Sequence, residues 1–262
     1  HMVGSIEDIH DKKLMEIKLS QTMAALKQSN EELENFAYYA AHDLKEPLRT
    51  LQTFTDYLIK DSLAGDAQRI EQDREFIVSS CKKMTELIDG ILQVSKLNGR
   101  QASWEQVSIG QIFDRVISNL ETLVNTHGVT IEQFGADIVV EADVDQLTLA
   151  VQNLVQNSIK FARDGVAPHI VCHARIESES LVLSVMDNGI GIDKALRERA
   201  TKMFQRVHGD ADIDGCGLGL AIVERVVRSH GGTLSIDDSP NGGTIIRISV
   251  PLRQRNRGTL EE

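Results

Sequence analysis

From about Ile6 to Lys60 apolar positions recur at helical spacing, with no glycine and a single proline, which predicts one long helix. Within it Leu19, Thr22, Leu26, Ser29, Leu33, Phe36 and Ala40 fall on alternating steps of three and four residues, a coiled-coil seam with two small polar members. Ser62-Leu63-Ala64-Gly65-Asp66 breaks the pattern. A second apolar stripe then runs through Ile70, Ile77, Met84, Leu87, Ile88, Ile91, Leu92 and Val94, and a stop is expected at Asn98-Gly99. The two stripes predict a helical hairpin. Two helices enclose little core, so the hairpin is expected to form a homodimer, a four-helix bundle.

Beyond Gly99 the period changes. Ser108 to Gln111 reads as a capping box opening a helix with a buried face of Ile112, Phe113, Val116, Leu120 and Leu123, which ends at His127-Gly128. Strand-like runs follow at Val129 to Phe134 and Ile138 to Glu141, then a helix from about Asp143 to Ala162 with Leu147, Val151, Leu154 and Ser158 on one side. Ile170 to Ile176 and Leu181 to Met186 flank a short polar turn as a hairpin. A helix from about Leu218 to His230 and strands at Thr233 to Ile236 and Thr244 to Val250 complete the pattern. The fold class expected is therefore α + α/β: a helical hairpin (residues 6–100), then an α/β sandwich of a mostly antiparallel sheet under about three helices (101–252). An Arg-rich, then acidic tail (253–262) is expected to be disordered.

Composition narrows the partners. A chain of 262 residues with 41% apolar content suffices for two cores, and a formal net charge of −11 offers no basic surplus for nucleic acid or an anionic membrane. Nucleic acid is not an expected partner. Cys81, Cys172 and Cys216 are widely spaced with no CxxC pair, which argues against disulfides and zinc and for a reducing, cytoplasmic setting. No run approaches the roughly 18 apolar residues that span a bilayer, so membrane insertion is not expected.

Three segments carry candidate chemistry. Asn153, Asn157 and Lys160 form a polar stripe on the helix from Asp143, suited to a metal–phosphate ligand, although such a stripe by itself also reads as a solvated helix face. Asp187-Asn188-Gly189-Ile190-Gly191-Ile192 follows an apolar strand. Its lone carboxylate can accept a hydrogen bond from the exocyclic amine of adenine, while Gly189 and Gly191 permit a tight turn, and as an isolated motif it is also a common turn. Gly215-Cys216-Gly217-Leu218-Gly219-Leu220 opens a helix, where successive N–H groups suit phosphates, but it is neither a dinucleotide fingerprint nor a P-loop. Between the last two, Met203 to His208 and the polar Gly209 to Asp214 read as a lid.

In this order, an Asn/Lys helix, an Asp-x-Gly-x-Gly turn, a Phe-containing lid and a Gly-x-Gly-x-Gly helix start resemble the ATP-binding domain shared by histidine kinases, Hsp90, DNA gyrase and MutL. Ala41-His42-Asp43-Leu44-Lys45-Glu46-Pro47-Leu48-Arg49 is similar to the phospho-acceptor motif of sensor histidine kinases, and its wording most resembles the kinases attached to phytochromes. The resemblance runs from about Asn30 to Leu252. It implies ATP-dependent phosphorylation of His42, with transfer onward to an aspartate of a response regulator receiver domain. It implies Asn157 as a Mg²⁺ ligand with Asn153 and Lys160 near the phosphates, Asp187 reading adenine, Gly189 and Gly191 shaping the pocket, Arg206 reaching the phosphates, and Gly215, Gly217 and Gly219 lining them. Cys216 departs from the small hydroxyl residue of many relatives. The coiled-coil start near Asp8 implies a sensor domain ahead of it.

An imidazole is substantially neutral near pH 7, so a ring nitrogen can attack phosphorus without a strong base, and Asp43 is expected to orient the ring. Pro47 is expected to bend or loosen the helix beneath it. Relatives that dephosphorylate their regulators usually carry Thr or Asn at position 46, where Glu46 would repel an aspartyl phosphate. Two rival readings are a non-catalytic dimeric module that binds ATP and an ATPase or clamp of the Hsp90 kind, against which the hairpin argues.

Overall fold

The structure is a computed structural model that describes residues 2–99, 103–205 and 217–252. The chain divides into two compact units, residues 1–80 and 81–262. The expected tail and most of the expected lid, together with Arg206, Gly215 and Cys216, lie outside the described residues.

In the first unit α1 (Met2–Ala64) reverses into the start of α2 (Ala67–Gly99). Gly65 takes φ +73° at the turn, and the Asp66 carboxylate caps α2 by accepting from the Arg69 N–H at 3.2 Å. Phe54 and Phe76 stack across the hairpin with ring centroids 4.2 Å apart. Along the expected seam Ala40 is buried and Phe36 half-buried, while Leu19 and Thr22 are exposed; the side chains of Leu26, Ser29 and Leu33 lie outside the described residues. Helical structure continues through Pro47, which is itself buried.

The second unit is an α/β sandwich. Its five-stranded sheet has the order β2 (Thr130–Phe134), β4 (His169–Glu177), β5 (Ser180–Asp187), β7 (Thr244–Pro251), β6 (Thr233–Asp238). β2 runs parallel to β4 and the other neighbours are antiparallel. Ser178 and Glu179, at φ 47° and 61°, make the two-residue turn between β4 and β5, whose left-handed pair matches the twist of a hairpin. A separate antiparallel pair joins β1 (Trp104–Ser108) to β3 (Val139–Asp143).

The core forms where alternate strand residues meet the apolar stripes of three helices. Ile170, Leu183 and Ile248 on the sheet share one buried cluster with Phe113 and Ile112 of α3 (Ile109–Asn119), Leu147 and Leu154 of α5 (Val144–Lys160) and, after the single-turn α6 (Arg197–Ala200), Val223 and Val226 of α7 (Gly219–Ser229). Cys172 lies in that cluster, where burial pushes its thiol up to about 12 and leaves it unreactive. His127 and His230 stand at helix C-termini, as expected, with each Nδ1 against a carbonyl of the last turn.

Two expectations are corrected. The helix opened by the Ser108 capping box, itself present in full, ends at Asn119; Leu120 turns the chain into a second helix, α4 (Glu121–His127). Leu120 is buried, but Leu123 is 39% exposed because the break rotates it off the core face. Strand β1 was also absent from the pattern, since only Val107 of its five residues is buried.

Phe113 is 2% exposed at the centre of this cluster. Phe113→Ala is expected to lower the stability of the α/β unit by about 3–5 kcal/mol. Urea unfolding followed through Trp104, the single tryptophan, reads this directly, and an unchanged midpoint would contradict the packing described.

Candidate functional site

His42 lies on the solvent side of α1, its side chain 68% exposed. Its Nδ1 is 3.0 Å from Oδ1 of the adjacent Asp43. A carboxylate accepts only, so a hydrogen bond at this contact carries the imidazole proton on Nδ1 and leaves the lone pair on Nε2.

The second constellation belongs to the α/β unit. The Asp143 carboxylate caps α5 by accepting from the Gln146 N–H at 3.0 Å, which sets the phase of that helix. Its buried face holds Leu147, Val151 and Leu154, so Asn153 and Asn157 emerge half-buried at its margin and Lys160 is exposed in the last turn. At Gly219, the first residue of α7, an added Cβ would stand 3.2 Å from Asn157 Nδ2 and 3.3 Å from Asn153 Oδ1. A side chain there would press on both amides, so glycine suits this close approach. Gly217 takes φ +66° just before it, and its carbonyl accepts from the Phe204 N–H at 3.1 Å. The Asn stripe and the start of α7, far apart in sequence, therefore face one another at Asn153, Asn157 and Gly219.

Asp187 ends β5. Its Oδ1 accepts from the N–H groups of Gly189, at 2.9 Å, and Thr244, at 3.0 Å, while Oδ2 lies 3.3 Å from the Ser158 hydroxyl. That hydroxyl is also 3.1 Å from the Leu154 carbonyl, so its single proton serves one acceptor at a time and Oδ2 keeps capacity for a ligand donor. Burial raises the Asp187 pKa above its ordinary value; the hydrogen bonds from Thr244, Gly189 and Ser158, and the charge of Arg163, pull it back down.

The neighbouring turn admits only glycine at two points. A Cβ at Gly189 would fall 2.4 Å from the Phe161 carbonyl, and Gly191 takes φ +82°. Asn188 is structural, its amide bridging the His169 N–H and the Ala167 carbonyl. Beyond Gly191 an open cleft of about 460 Å³ runs between Ile190–Asp193 and Asp238, Ser239, Gly242 and Gly243.

The structure thus brings together Asn153, Asn157, Gly217 and Gly219 in one group and Asp187, Gly189 and Gly191 in another, joined through α5 by Ser158. Sequence reasoning missed the parts played by Ser158 and Thr244. Ser158 counted as a member of the apolar face; Gly242-Gly243-Thr244 opening the last strand was the available signal. For a hard cation, the donors suit Mg²⁺, which typically takes one or two protein oxygens and completes its shell with substrate phosphates and water; the Asn157 amide oxygen is such a donor.

Comparison with known proteins agrees with this geometry. Residues 32–100 match the His Kinase A (phospho-acceptor) domain, and residues 142–254 match the histidine kinase-, DNA gyrase B- and HSP90-like ATPase. The chain is 34% identical to phytochrome-like protein Cph1 of Synechocystis over 90% of its own length and 31% of that protein's. It is 32% identical to the methanogenesis regulatory histidine kinase FilI of Methanothrix harundinacea over 89% of its length and 26% of the relative's. It therefore spans less than a third of either relative. Histidine kinase ThkA, solved in complex with the response regulator TrrA, shares the fold at TM-score 0.70 and 18% identity, over 88% of this chain and 65% of that one. With a phospho-acceptor match over the histidine-bearing hairpin and an ATPase match over the asparagine, aspartate and glycine constellation, the chain belongs to the sensor histidine kinases of two-component systems.

Proposed function

We propose that this chain is a catalytic core that moves the γ-phosphoryl group of ATP onto Nε2 of His42 and passes it to an aspartate of a response regulator receiver domain. The observation that carries the reading is the His42 Nδ1 contact with Asp43, which frees Nε2, in the same chain as a purine-suited carboxylate at Asp187. Phosphoryl transfer asks little covalent chemistry of the protein and much positioning. Nε2 forms the bond to phosphorus as the bond to the ADP oxygen breaks, and Asp43 balances the positive charge growing on the ring.

Asp187 would hold the adenine amine through Oδ2, with Gly189 and Gly191 shaping the wall. Asn153, Lys160 and the glycines at 215, 217 and 219 would surround the phosphates, together with Arg206. Mg²⁺ bound by Asn157 would shield the phosphate charges. In this reading residues 6–100 form a coiled-coil linker with a dimerisation and phosphotransfer domain and residues 101–252 an ATP-binding domain, with a tail at 253–262, whereas the compact units divide within α2, at residue 80.

A homodimer is supported by the apolar side chains that a single hairpin leaves bare. Ile59 and Leu63, one turn apart on the same face of α1, are 58% and 87% exposed and would be covered by a partner hairpin. A receiver domain as partner is supported by ThkA, which was solved with its regulator. An upstream sensor domain is supported by the greater length of the relatives, and a cytoplasmic setting by the ATP chemistry. Among the described residues no helix is long and apolar enough to cross a membrane.

Incubation with γ-labelled ATP tests the central step: label should attach as acid-labile, alkali-stable phosphate and vanish in His42→Gln. Steady ATP hydrolysis indifferent to that substitution would instead favour an ATPase. Asp187→Asn replaces an acceptor oxygen by an N–H₂ donor and should weaken ATP binding by about 1.5–3 kcal/mol, read by calorimetry; unchanged affinity would remove Asp187 from the site. Glu46 should keep regulator phosphatase activity weak, so rapid regulator dephosphorylation that is lost in Glu46→Ala would contradict that assignment.

A further inference from the structure

Arg163 stands in the loop that follows α5, outside every motif discussed above. Its Nε–H donates to the Gly189 carbonyl at 2.9 Å. The guanidinium also packs against Gly242 of the β6–β7 turn, where an added Cβ would fall 2.0 Å from Nη2 and 2.9 Å from Cζ. Gly242 takes φ +76°, a conformation that favours glycine. At the next position, a Cβ on Gly243 would fall 2.5 Å from Asp187 O, Asp187 Oδ1 and Gly189 N alike. One side chain therefore joins the two turns, 187–191 and 239–243, whose backbones close around Asp187. These are the turns that bring the Gly189 and Thr244 N–H groups to Oδ1.

We propose that Arg163 is a positioning residue of the purine site, clamping these two turns so that Asp187 keeps Oδ1 bound by the protein and Oδ2 presented, ionised, to the base. This rests on the reading of Asp187 as the purine-binding carboxylate. An arginine suits the task because its planar fork can direct one N–H at a carbonyl of one turn while the rest of the guanidinium packs against the other, which a lysine ammonium cannot do. Its charge also has a use. Burial favours the neutral carboxyl at Asp187, the Ser158 hydroxyl and the two backbone N–H groups oppose that, and Arg163 is the charged group acting on it. Removing the cation raises the Asp187 pKa further, so at mildly acidic pH a larger fraction is protonated and cannot accept from the base.

The test is calorimetric binding of ADP to the full chain from neutral to mildly acidic pH, with wild type, Arg163→Met, Arg163→Lys and Asp187→Asn. The Asp187→Asn profile supplies the baseline for protons on the nucleotide itself, and Trp104 emission confirms that each variant is folded. Arg163→Met should weaken ADP roughly tenfold at neutral pH, the scale of a lost charged hydrogen bond, and move the acid-side loss of affinity to higher pH. Arg163→Lys should keep the wild-type midpoint while losing affinity, because it restores the charge but not the clamp. Wild-type affinity and midpoint in Arg163→Met would overturn the proposal, and so would weaker binding with an unmoved midpoint, which marks a brace with no influence on ionisation. Wild-type protein that binds no ADP would remove the purine site itself, a failure distinct from that of Arg163.

Discussion

A carboxylate at the end of a central strand, largely taken out of water, is costly unless its oxygens are met by donors. Asp187 meets that demand by drawing two separate turns onto Oδ1 and a helix hydroxyl towards Oδ2. The closeness of those backbones accounts for the glycines at 189 and 243. At Gly189 and Gly243 any side chain would collide with a neighbouring main chain, and at Gly219 it would press on two asparagine amides. The margin of the sheet at Asp187 is in this sense a set of backbone approaches organised about one charge.

The sandwich serves that arrangement. Packing of Leu147, Val151 and Leu154 against the sheet fixes the rotation of α5, and that rotation delivers Asn153, Asn157 and Ser158 to the same margin. Pairing of β5 with β7 sets Met186 opposite Ile245, which puts the Thr244 N–H within reach of the carboxylate one residue on. On the hairpin the chemistry is simpler. Adjacent His42 and Asp43 make their contact on an exposed helix face without tertiary help.

Much of this was legible along the chain because local signals and burial agreed. The Ser108–Gln111 capping box, the Gly65-Asp66 reversal, the β4–β5 hairpin and the α5 and α7 stripes each stand within a few residues of where periodicity put them. The motifs around His42, Asp187 and Gly219 were legible for the same reason. What escaped was set by tertiary contact. Nothing local announces that the chain turns at Leu120, because Leu123 continues the apolar spacing that the break then rotates outward. Ser158 looks like a small member of a buried face until the strand end carrying Asp187 is placed beside it. Arg163, in a polar loop, has no pattern at all; its role appears only when two turns from distant parts of the sequence meet beneath its guanidinium.

The most direct measurement is phosphorus NMR of the wild-type chain after incubation with ATP and Mg²⁺. The account predicts a phosphoramidate signal from a single phosphorylated imidazole, substituted at Nε2 of His42, with Nδ1 still held by Asp43. A phosphoryl group on the other ring nitrogen, on a carboxylate, or only in free inorganic phosphate would contradict it.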